Sequence, residues 1–455
     1  MADSHFAWLL DGELLICQTC GNAGTLLGHD DALRCSACEA TVPIVSGVPD
    51  FFAGYVADRN PDVLADPSVI DDITGILDLP STDDVRATIT TALQQAERDT
   101  DVPALTAEIR EVHARFVGGE IEEPPLPEDA NSDPTARIER HYAPKGFVSG
   151  ERRFVNVRFH NVGSRPWSSR TSPIAITAGA RFRRKSFGRR TTSEPVYTPL
   201  PIDITPGRAI TLPVEVVVPE RQGTHELEIG LVRHPDGFLP DATIVLDVNV
   251  HPDGGHPETR PLPSGVGSRL GTADYGEDHR IANEMVGAAM ERCWPGVRRR
   301  MVEIGGSTHP QSWNHRDTDL VNIDISAPTL HLGVLYDRHH DRSIAHLCAD
   351  AMAPPLAQRA WHAVAMYATL HHFAEPERLL AAAEKLLLPG GFVAVMCEPS
   401  GTTLAHPAGV RDLLGGINEQ TFAVDEYLWM AARAGLTVDE AFDDGGSFKA
   451  ILRAS

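Results

Sequence analysis

The sequence predicts a multidomain chain of α/β-plus-β class, and three observations predict it. Near the start, Cys17, Cys20, Cys35 and Cys38 are spaced C-x2-C-x14-C-x2-C. In the middle, from about 138 to 252, short strand-like runs alternate with turn signals. Beyond about 300, apolar runs of strand length alternate with helical stretches, and the first of them breaks at paired glycines: Met301-Val302-Glu303-Ile304-Gly305-Gly306-Ser307-Thr308-His309-Pro310.

Composition sets the outer bounds. A chain of 455 residues has room for about three domains. With 42% hydrophobic and 23% charged residues it is ordinarily globular. A net charge of −23 argues against a broad nucleic-acid or anionic-membrane surface, because phosphate contacts need clustered Lys and Arg. There is no apolar run long enough for a membrane span. Phe6 to Leu10 is too short for a signal-peptide core and has no basic flank, so a cytoplasmic protein is expected.

Residues 1–55 read as a zinc ribbon. Two C-x-x-C knuckles supply four thiolates that can surround one tetrahedral ion, for which Zn²⁺ is the usual occupant. Four cysteines leave no open coordination position, so the metal is expected to be structural. A module this short buries little apolar surface, and the metal would supply much of its folding energy. The competing readings are two disulfides or free thiols, and disulfides need an oxidising compartment. Cys293, Cys348 and Cys397 sit in apolar surroundings and read as core residues.

Residues 56–137 read as a helical segment followed by an acidic, proline-rich linker. Val85, Ile89, Leu93, Ala96, Leu105, Ile109, Val112 and Phe116 recur at helical spacing, and four prolines lie between Glu120 and Pro134. Residues 138–252 carry strand-like runs at Arg153–Phe159, Ile174–Thr177, Ile210–Val218, Glu226–Val232 and Thr243–Val250, the signature of an immunoglobulin-like β-sandwich. Trp167 is expected to plug its core; a sugar-stacking platform is the alternative. Arg181, Arg183, Arg184, Lys185, Arg189 and Arg190 form a basic cluster in an acidic protein. The cluster suits an anionic substrate, an acidic face of the same protein, or plain solvent.

Residues 265–455 form the last part, after a Pro/Gly-rich boundary. Glycine at the turn after Ile304 removes the Cβ and lets backbone N–H groups approach a ligand. The next run, Leu320-Val321-Asn322-Ile323-Asp324-Ile325, delivers a carboxylate about 20 residues after Glu303, a spacing that suits ribose hydroxyls. Further runs follow at Ala345–Ala351, Trp361–Tyr367 and Phe392–Cys397, with a helix over Glu375–Leu388 and a turn at Pro389-Gly390-Gly391. The VEIGG turn, the NIDIS acid, the ADAMAPPL segment, the ATLHHF stretch and the LLLPGGFVAV strand, in this order, resemble a class I S-adenosylmethionine-dependent methyltransferase of the small-molecule and glycan-modifying type. The resemblance implies a Rossmann-like seven-stranded domain. Thr41 to Phe51 is similar to the end of the zinc-ribbon module that precedes some bacterial methyltransferase domains.

The resemblance also implies roles. Glu303, Gly305, Gly306 and Ser307 would lie along the methionine and ribose part of S-adenosyl-L-methionine. Asp324 would hold the ribose hydroxyls, with Ile325 against the adenine. Asp350 would face the adenine amine beside Ala351 and Met352. One of His371 and His372 would be the catalytic base, since imidazole suits proton removal from a hydroxyl near neutral pH. Glu419 is a secondary candidate, in a loop that closes over the acceptor in related enzymes. Three features depart from the family: Ser307 and His309 stand where it has glycines, His362 stands after an aromatic where it often has Asp, and Pro310–Asp319 lacks a helical stripe, so a short or distorted first crossover helix is expected. Asp337-Arg338-His339-His340-Asp341 reads as a solvated surface connection.

The expected function is methyl transfer to an oxygen, or a nitrogen, of a glycan, glycolipid precursor or secondary metabolite. The expected partners are that acceptor, anionic if the basic cluster serves it, and a second copy or another protein through the β-domain. Two alternatives stay open: a non-catalytic scaffold whose altered turn has lost the cofactor, and an RNA methyltransferase, since zinc ribbons accompany some of those.

Overall fold

The computed structural model describes residues 5–51 (apart from 30 and 46), 82–83, 86–87, 126–142, 146–170, 174–186, 189–252, 266–268, 275–400 (apart from 326 and 374) and 419–454 (apart from 444–445). The chain divides into two compact units, one of residues 1–120, 270–398 and 430–455, the other of 121–269 and 399–429. The helical stretch expected over 83–116 lies almost wholly outside the described residues.

The first unit opens with a short helix, α1 (Ala7–Asp11), and four small strands, β1 (Leu26–Gly28), β2 (Ala32–Cys35), β3 (Thr41–Val45) and β4 (Val48–Pro49), in sequential antiparallel order. Its larger part is an α/β body. Here β15 (Arg299–Ile304), β16 (Thr318–Asp324), β17 (Ala345–Cys348), β18 (Trp361–Tyr367) and β19 (Leu387–Pro399) are joined by β20 (Leu436–Asp443) and β21 (Ser447–Ala454), in the order β20-β21-β19-β18-β15-β16-β17. β15 pairs in parallel with both β16 and β18, so the order of connection reverses between β15 and β18. That reversal opens a crevice at the carboxyl ends of the strands, where ligands of such sheets bind. The strands are buried on both faces, which explains their nearly continuous apolar sequence.

Among the described residues, three helices pack against the sheet. On α2 (Tyr275–Cys293), Ala282, Val286, Ala289 and Met290 recur at helical spacing and pack with Met301, Ala363 and Phe392 in one core. α3 (Ala327–His339) follows β16. α4 (Pro376–Leu386) starts with proline in its first turn, where the missing N–H costs nothing, and buries Leu379, Leu380, Ala383 and Leu386. The first crossover has no α-helix: Gln311–Asn314 forms a single 3-10 turn, in line with the absence of an apolar stripe there. Among the described residues no helix is long and apolar enough to cross a membrane.

The described residues of the second unit form two sheets. One has the order β10-β8-β12-β13-β6, from Val196–Pro199, Ile176–Ser186, Gly223–Arg233, Gly237–His251 and Gly146–Val148, with β9 (Arg189–Thr192) paired to β8. The other has the order β11-β7-β5, from Ala209–Val217, Arg152–Asn161 and Ala136–Tyr142. A short strand, β14 (Val266–Ser268), follows them in the chain. Inward residues of both sheets, among them Val155, Val157, Phe159, Leu212, Leu227 and Ile229, share one core. Trp167 lies inside it with no exposed surface, so it is a plug rather than a platform. The segment after Pro399 belongs to this unit. The Asn156 amide donates to the Thr421 carbonyl (2.6 Å), and the buried Arg153 guanidinium pairs with Asp425 at 2.9 Å. Helix α5 (Val424–Arg433) begins here.

Trp167→Ala is expected to destabilise the two-sheet unit by roughly 3–5 kcal/mol. Differential scanning calorimetry reads this as a lowered transition for that unit; an unchanged transition would contradict the core role.

Candidate active site

The glycine turn sits at the end of β15, and it is crowded. Gly305 has φ +74°, and a Cβ there would meet the Thr369 side chain at 2.5 Å. A Cβ on Gly306 would meet Asn322 Oδ1 at 2.4 Å and Pro310 at 2.9 Å. Both positions therefore require glycine. Ser307 also takes a left-handed conformation, φ +47°, which costs a side-chain-bearing residue about 1–2 kcal/mol. Two hydrogen bonds hold it there: its N–H donates to Asp324 Oδ2 (3.0 Å), and its carbonyl accepts from the Asn322 amide (2.8 Å).

His309, the second departure from glycine, leaves the turn. Its ring packs against Tyr336 (4.8 Å) and Trp313 (5.4 Å) in an aromatic cluster. Burial there holds its pKa below the usual histidine value. The same cluster is tied to a buried polar chain beneath the turn. Asn322 contacts His346 Nδ1 (3.1 Å), His346 Nε2 contacts Asp337 Oδ2 (2.9 Å), and Asp337 Oδ1 accepts the Trp313 indole N–H (2.9 Å). Asp337, expected in a solvated connection, is 1% exposed, because α3 turns that side chain inward onto His346.

The two acids stand on the same rim. Asp324, at the end of β16, is buried and directed at the turn through Ser307. Ile325, half-buried, follows it. Asp350 lies just past β17, where its carboxylate accepts the Met352 N–H (2.8 Å); Ala351 is buried and Met352 half-buried. The backbone joins the two acids, as Ala349 N–H donates to the Asp324 carbonyl (3.0 Å). Glu303 behaves differently. Both its oxygens accept backbone N–H groups at the start of the 3-10 turn, from Gln311 and Ser312, each at 2.7 Å. Burial pushes its carboxyl up to about 7, against the pull of those donors.

His371 and His372 form a short 3-10 turn with Leu370 after β18. Their rings lie 4.0 Å apart. Glu398, fully buried at the end of β19, organises this loop. It accepts the N–H groups of Thr369 (2.9 Å), Leu370 (2.9 Å) and His371 (3.0 Å), and it contacts His371 Nδ1 at 2.7 Å. Thr369 is also the residue on which Gly305 packs, so the histidine loop and the glycine turn are adjacent. Of the loop expected on the acceptor side, Ile417 and Asn418 lie outside the described residues; Glu419 is described and buried.

A family model described as a methyltransferase domain matches residues 303–395. The chain carries a methyltransferase domain. Solved structures similar to it include CurJ carbon methyltransferase, at 17% identity over 41% of this chain and 56% of that one, with a TM-score of 0.34. The 4+2 cyclase SpnF is similar at 18% identity over 39% and 64%, TM-score 0.31. NcsB1, an O-methyltransferase from neocarzinostatin biosynthesis solved with S-adenosyl-L-homocysteine and 1,4-dihydroxy-2-naphthoic acid, is similar at 20% identity over 40% and 60%, TM-score 0.29. The chain thus spans less than two thirds of the length of each of these structures. No curated protein matches the sequence.

Within the α/β body, sequence reasoning missed Glu398, Asn322 and Thr369. Glu398 had a readable signal, an acid ending the fifth strand in Cys397-Glu398-Pro399, just as Glu303 and Asp324 mark the first two. Outside the domain, the four N-terminal cysteines converge. Cys17 and Cys38 Sγ are 3.6 Å apart, Cys20 and Cys35 3.7 Å, and all four ligand atoms lie within 4.8 Å of one another. Zn–S bonds of about 2.3 Å in a tetrahedron require S···S separations of about 3.8 Å, so the donor set fits such an ion and is too open for disulfides. The basic cluster is partly spent within the β-sheet: Arg181 and Arg183 both pair with Glu228 on the neighbouring strand, and Arg181 stacks over Phe238 (4.6 Å).

Glu303→Gln tests the buried acid. A carboxyl raised from 4.5 to about 7 on folding contributes stability below pH 4.5 that is lost as pH rises through 7. The variant lacks this dependence, so its stability relative to wild type should improve by on the order of 3 kcal/mol between pH 4.5 and 8. Denaturant titrations across that range with a constant difference would contradict the assignment. Gly306→Ala should destabilise the domain by about 1–3 kcal/mol through its clash with Asn322. The double variant with Asn322→Ala should lose less than the two single variants together; additive losses in thermal unfolding would contradict the clash.

Proposed function

We propose that the α/β body binds S-adenosyl-L-methionine and transfers its methyl group to an oxygen of a small hydroxylated acceptor, a glycan, glycolipid precursor or secondary metabolite. The observation that carries the reading is the Glu398–His371 pair beside the glycine turn. The Gly305–Ser307 backbone would receive the methionine and ribose portion, Asp324 the ribose hydroxyls, and Ile325, Asp350, Ala351 and Met352 the adenine. The reversal of strand order, the small residues at the turn and the two acids on one rim all suit a nucleotide. Bound there, the sulfonium would offer an electrophilic methyl group with a good leaving group.

The chain's own part is positioning and proton removal. Glu398 as a carboxylate only accepts hydrogen bonds, so His371 Nδ1 must carry a proton toward it. That fixes the tautomer and makes Nε2 the atom that takes the acceptor's proton. As the acceptor oxygen takes up the methyl group, its proton would pass to His371 Nε2. Glu398 then faces an imidazolium, whose charge it stabilises. His372 lies against the base, its ring tilted by 44° to that of His371.

Around this body we place a Zn²⁺ ion in the Cys17, Cys20, Cys35 and Cys38 set as a structural element, and we read the two-sheet unit as immunoglobulin-like. We keep the domain limits at 1–55, 56–137, 138–252 and 265–455, except that residues 399–429 group with the two-sheet unit. Four free cysteines at the N-terminus suit a reducing compartment, which favours the cytoplasm.

Calorimetry with S-adenosyl-L-homocysteine should give binding that Asp324→Ala weakens tenfold or more. With S-adenosyl-L-methionine and a panel of hydroxylated acceptors, His371→Ala should lower turnover about 10²–10⁴-fold while leaving homocysteine-nucleotide affinity within twofold. Absence of nucleotide binding in the wild-type protein would favour a non-catalytic scaffold instead.

A further inference from the structure

The N-terminal four-cysteine module does not merely precede the α/β body; its backbone is hydrogen-bonded to it. Four contacts fall on one stretch, residues 348–357. Ile16 N–H donates to the Pro355 carbonyl (3.0 Å), and Ala357 N–H donates to the Leu14 carbonyl (2.8 Å), making an antiparallel bridge of Leu15 with Leu356. The Gln18 side-chain amide donates to the Ala353 carbonyl (2.9 Å). At the other end of the module, Phe51 N–H donates to the Cys348 carbonyl (2.9 Å), with a parallel bridge of Asp50 to Cys348. Val48 adds an apolar contact, buried against Leu330, Val334 and Cys348.

Two features give these contacts a purpose. First, β17 is the last strand of its sheet, and an edge strand leaves N–H and C=O groups without partners unless something covers them. The module's Asp50–Phe51 continues the pairing at that edge. Second, the gripped stretch contains Asp350, Ala351 and Met352, and it includes Ala349, whose N–H donates to the Asp324 carbonyl. It is a loop with little regular structure of its own, carrying only a local turn closed by Asp350. Three of the four hydrogen bonds are made within three residues of Cys17. Gln18 lies between Cys17 and Cys20, and Leu14–Ile16 runs directly into Cys17. A metal on the four thiolates would fix the conformation of the very residues that hold the loop.

We propose that the four-cysteine module is a metal-dependent clamp on residues 348–357, so that loading the four thiolates sets how tightly the α/β body holds an adenosyl nucleotide. The inference rests on the nucleotide reading above. It makes Gln18 and the backbone of Leu14–Ile16 positioning elements for a site that they do not touch. The metal acts through the loop and takes no part in methyl transfer.

The test uses the full chain. Zinc content is measured by mass spectrometry, S-adenosyl-L-homocysteine affinity by calorimetry, and amide hydrogen exchange across 348–357. Each is measured before chelation, after it, and after Zn²⁺ is returned. The clamp requires that stripped protein bind the nucleotide at least tenfold more weakly, that exchange at Ala349, Ala353 and Ala357 accelerate at least tenfold, and that Zn²⁺ restore both. Stripped protein that keeps its far-ultraviolet circular dichroism and binds within twofold of the loaded form overturns it, as does wild-type protein that takes up no Zn²⁺. Should chelation unfold the chain, Gln18→Ala decides. It retains all four thiolates, and it should keep its zinc while losing threefold or more in affinity and protection at Ala353; unchanged values overturn the proposal. Wild-type protein that binds no nucleotide at all refutes the nucleotide reading, and exchange at 348–357 then still judges the clamp.

Discussion

One buried carboxylate holds the carboxyl end of the parallel sheet together. Glu398 has no exposed surface, yet its two oxygens accept three consecutive backbone N–H groups and face an imidazole nitrogen. A charge so buried is tolerable only with this many donors, and removing the carboxylate would leave several amides unsatisfied at once. Through it, the strand that ends at Pro399 dictates the path of the loop after β18, and through Thr369 that loop dictates how closely the glycine turn approaches. Histidine loop, turn and strand end are one constraint rather than three.

Backbone strain collects at the same rim. Gly305, Ser307, Ala368 and Cys397 all have positive φ, and three of them bear side chains that disfavour it. Each such residue costs on the order of 1–3 kcal/mol and persists only where its surroundings overdetermine it. The surroundings here are specific: Asp324 and Asn322 fix Ser307, and Glu398 fixes the loop that follows Ala368. Below the turn, the chain from Asn322 through His346 and Asp337 to Trp313 carries that rigidity into α3. The loss of a full first crossover helix is offset by this network and by Glu303, which caps the 3-10 turn that replaces it.

Much of this was legible in the sequence. The five parallel strands were marked by apolar runs, because strands buried on both faces have no polar alternation to confuse the reading. The four-cysteine set, the acids at Asp324 and Asp350, and the shortened crossover were legible for local reasons: spacing, strand ends, and the absence of an apolar stripe. What was not legible depended on contacts between distant segments. Glu398 reads as an ordinary strand-end acid until the fold brings His371 to it, 27 positions earlier in the chain. His309 reads as an obstruction because spacing alone gives no direction to a side chain; it is drawn aside by Trp313 and Tyr336, which lie on separate elements. Asp337 reads as solvated because its neighbours in sequence are polar, while its partners come from β17 and the 3-10 turn. The attachment of the N-terminal module to residues 348–357 had no sequence signal, since three of its four hydrogen bonds join backbone atoms alone.

The central claim is that Glu398 and His371 stand beside a nucleotide seated on the Gly305–Ser307 turn. A crystal structure of the protein soaked with S-adenosyl-L-homocysteine tests it most directly. The account requires the ribose hydroxyls on Asp324, His309 still packed on Tyr336, and the thioether sulfur facing the His371 loop. A ligand excluded from the turn, or seated with its sulfur away from His371 while Glu398 keeps its present partners, would contradict it.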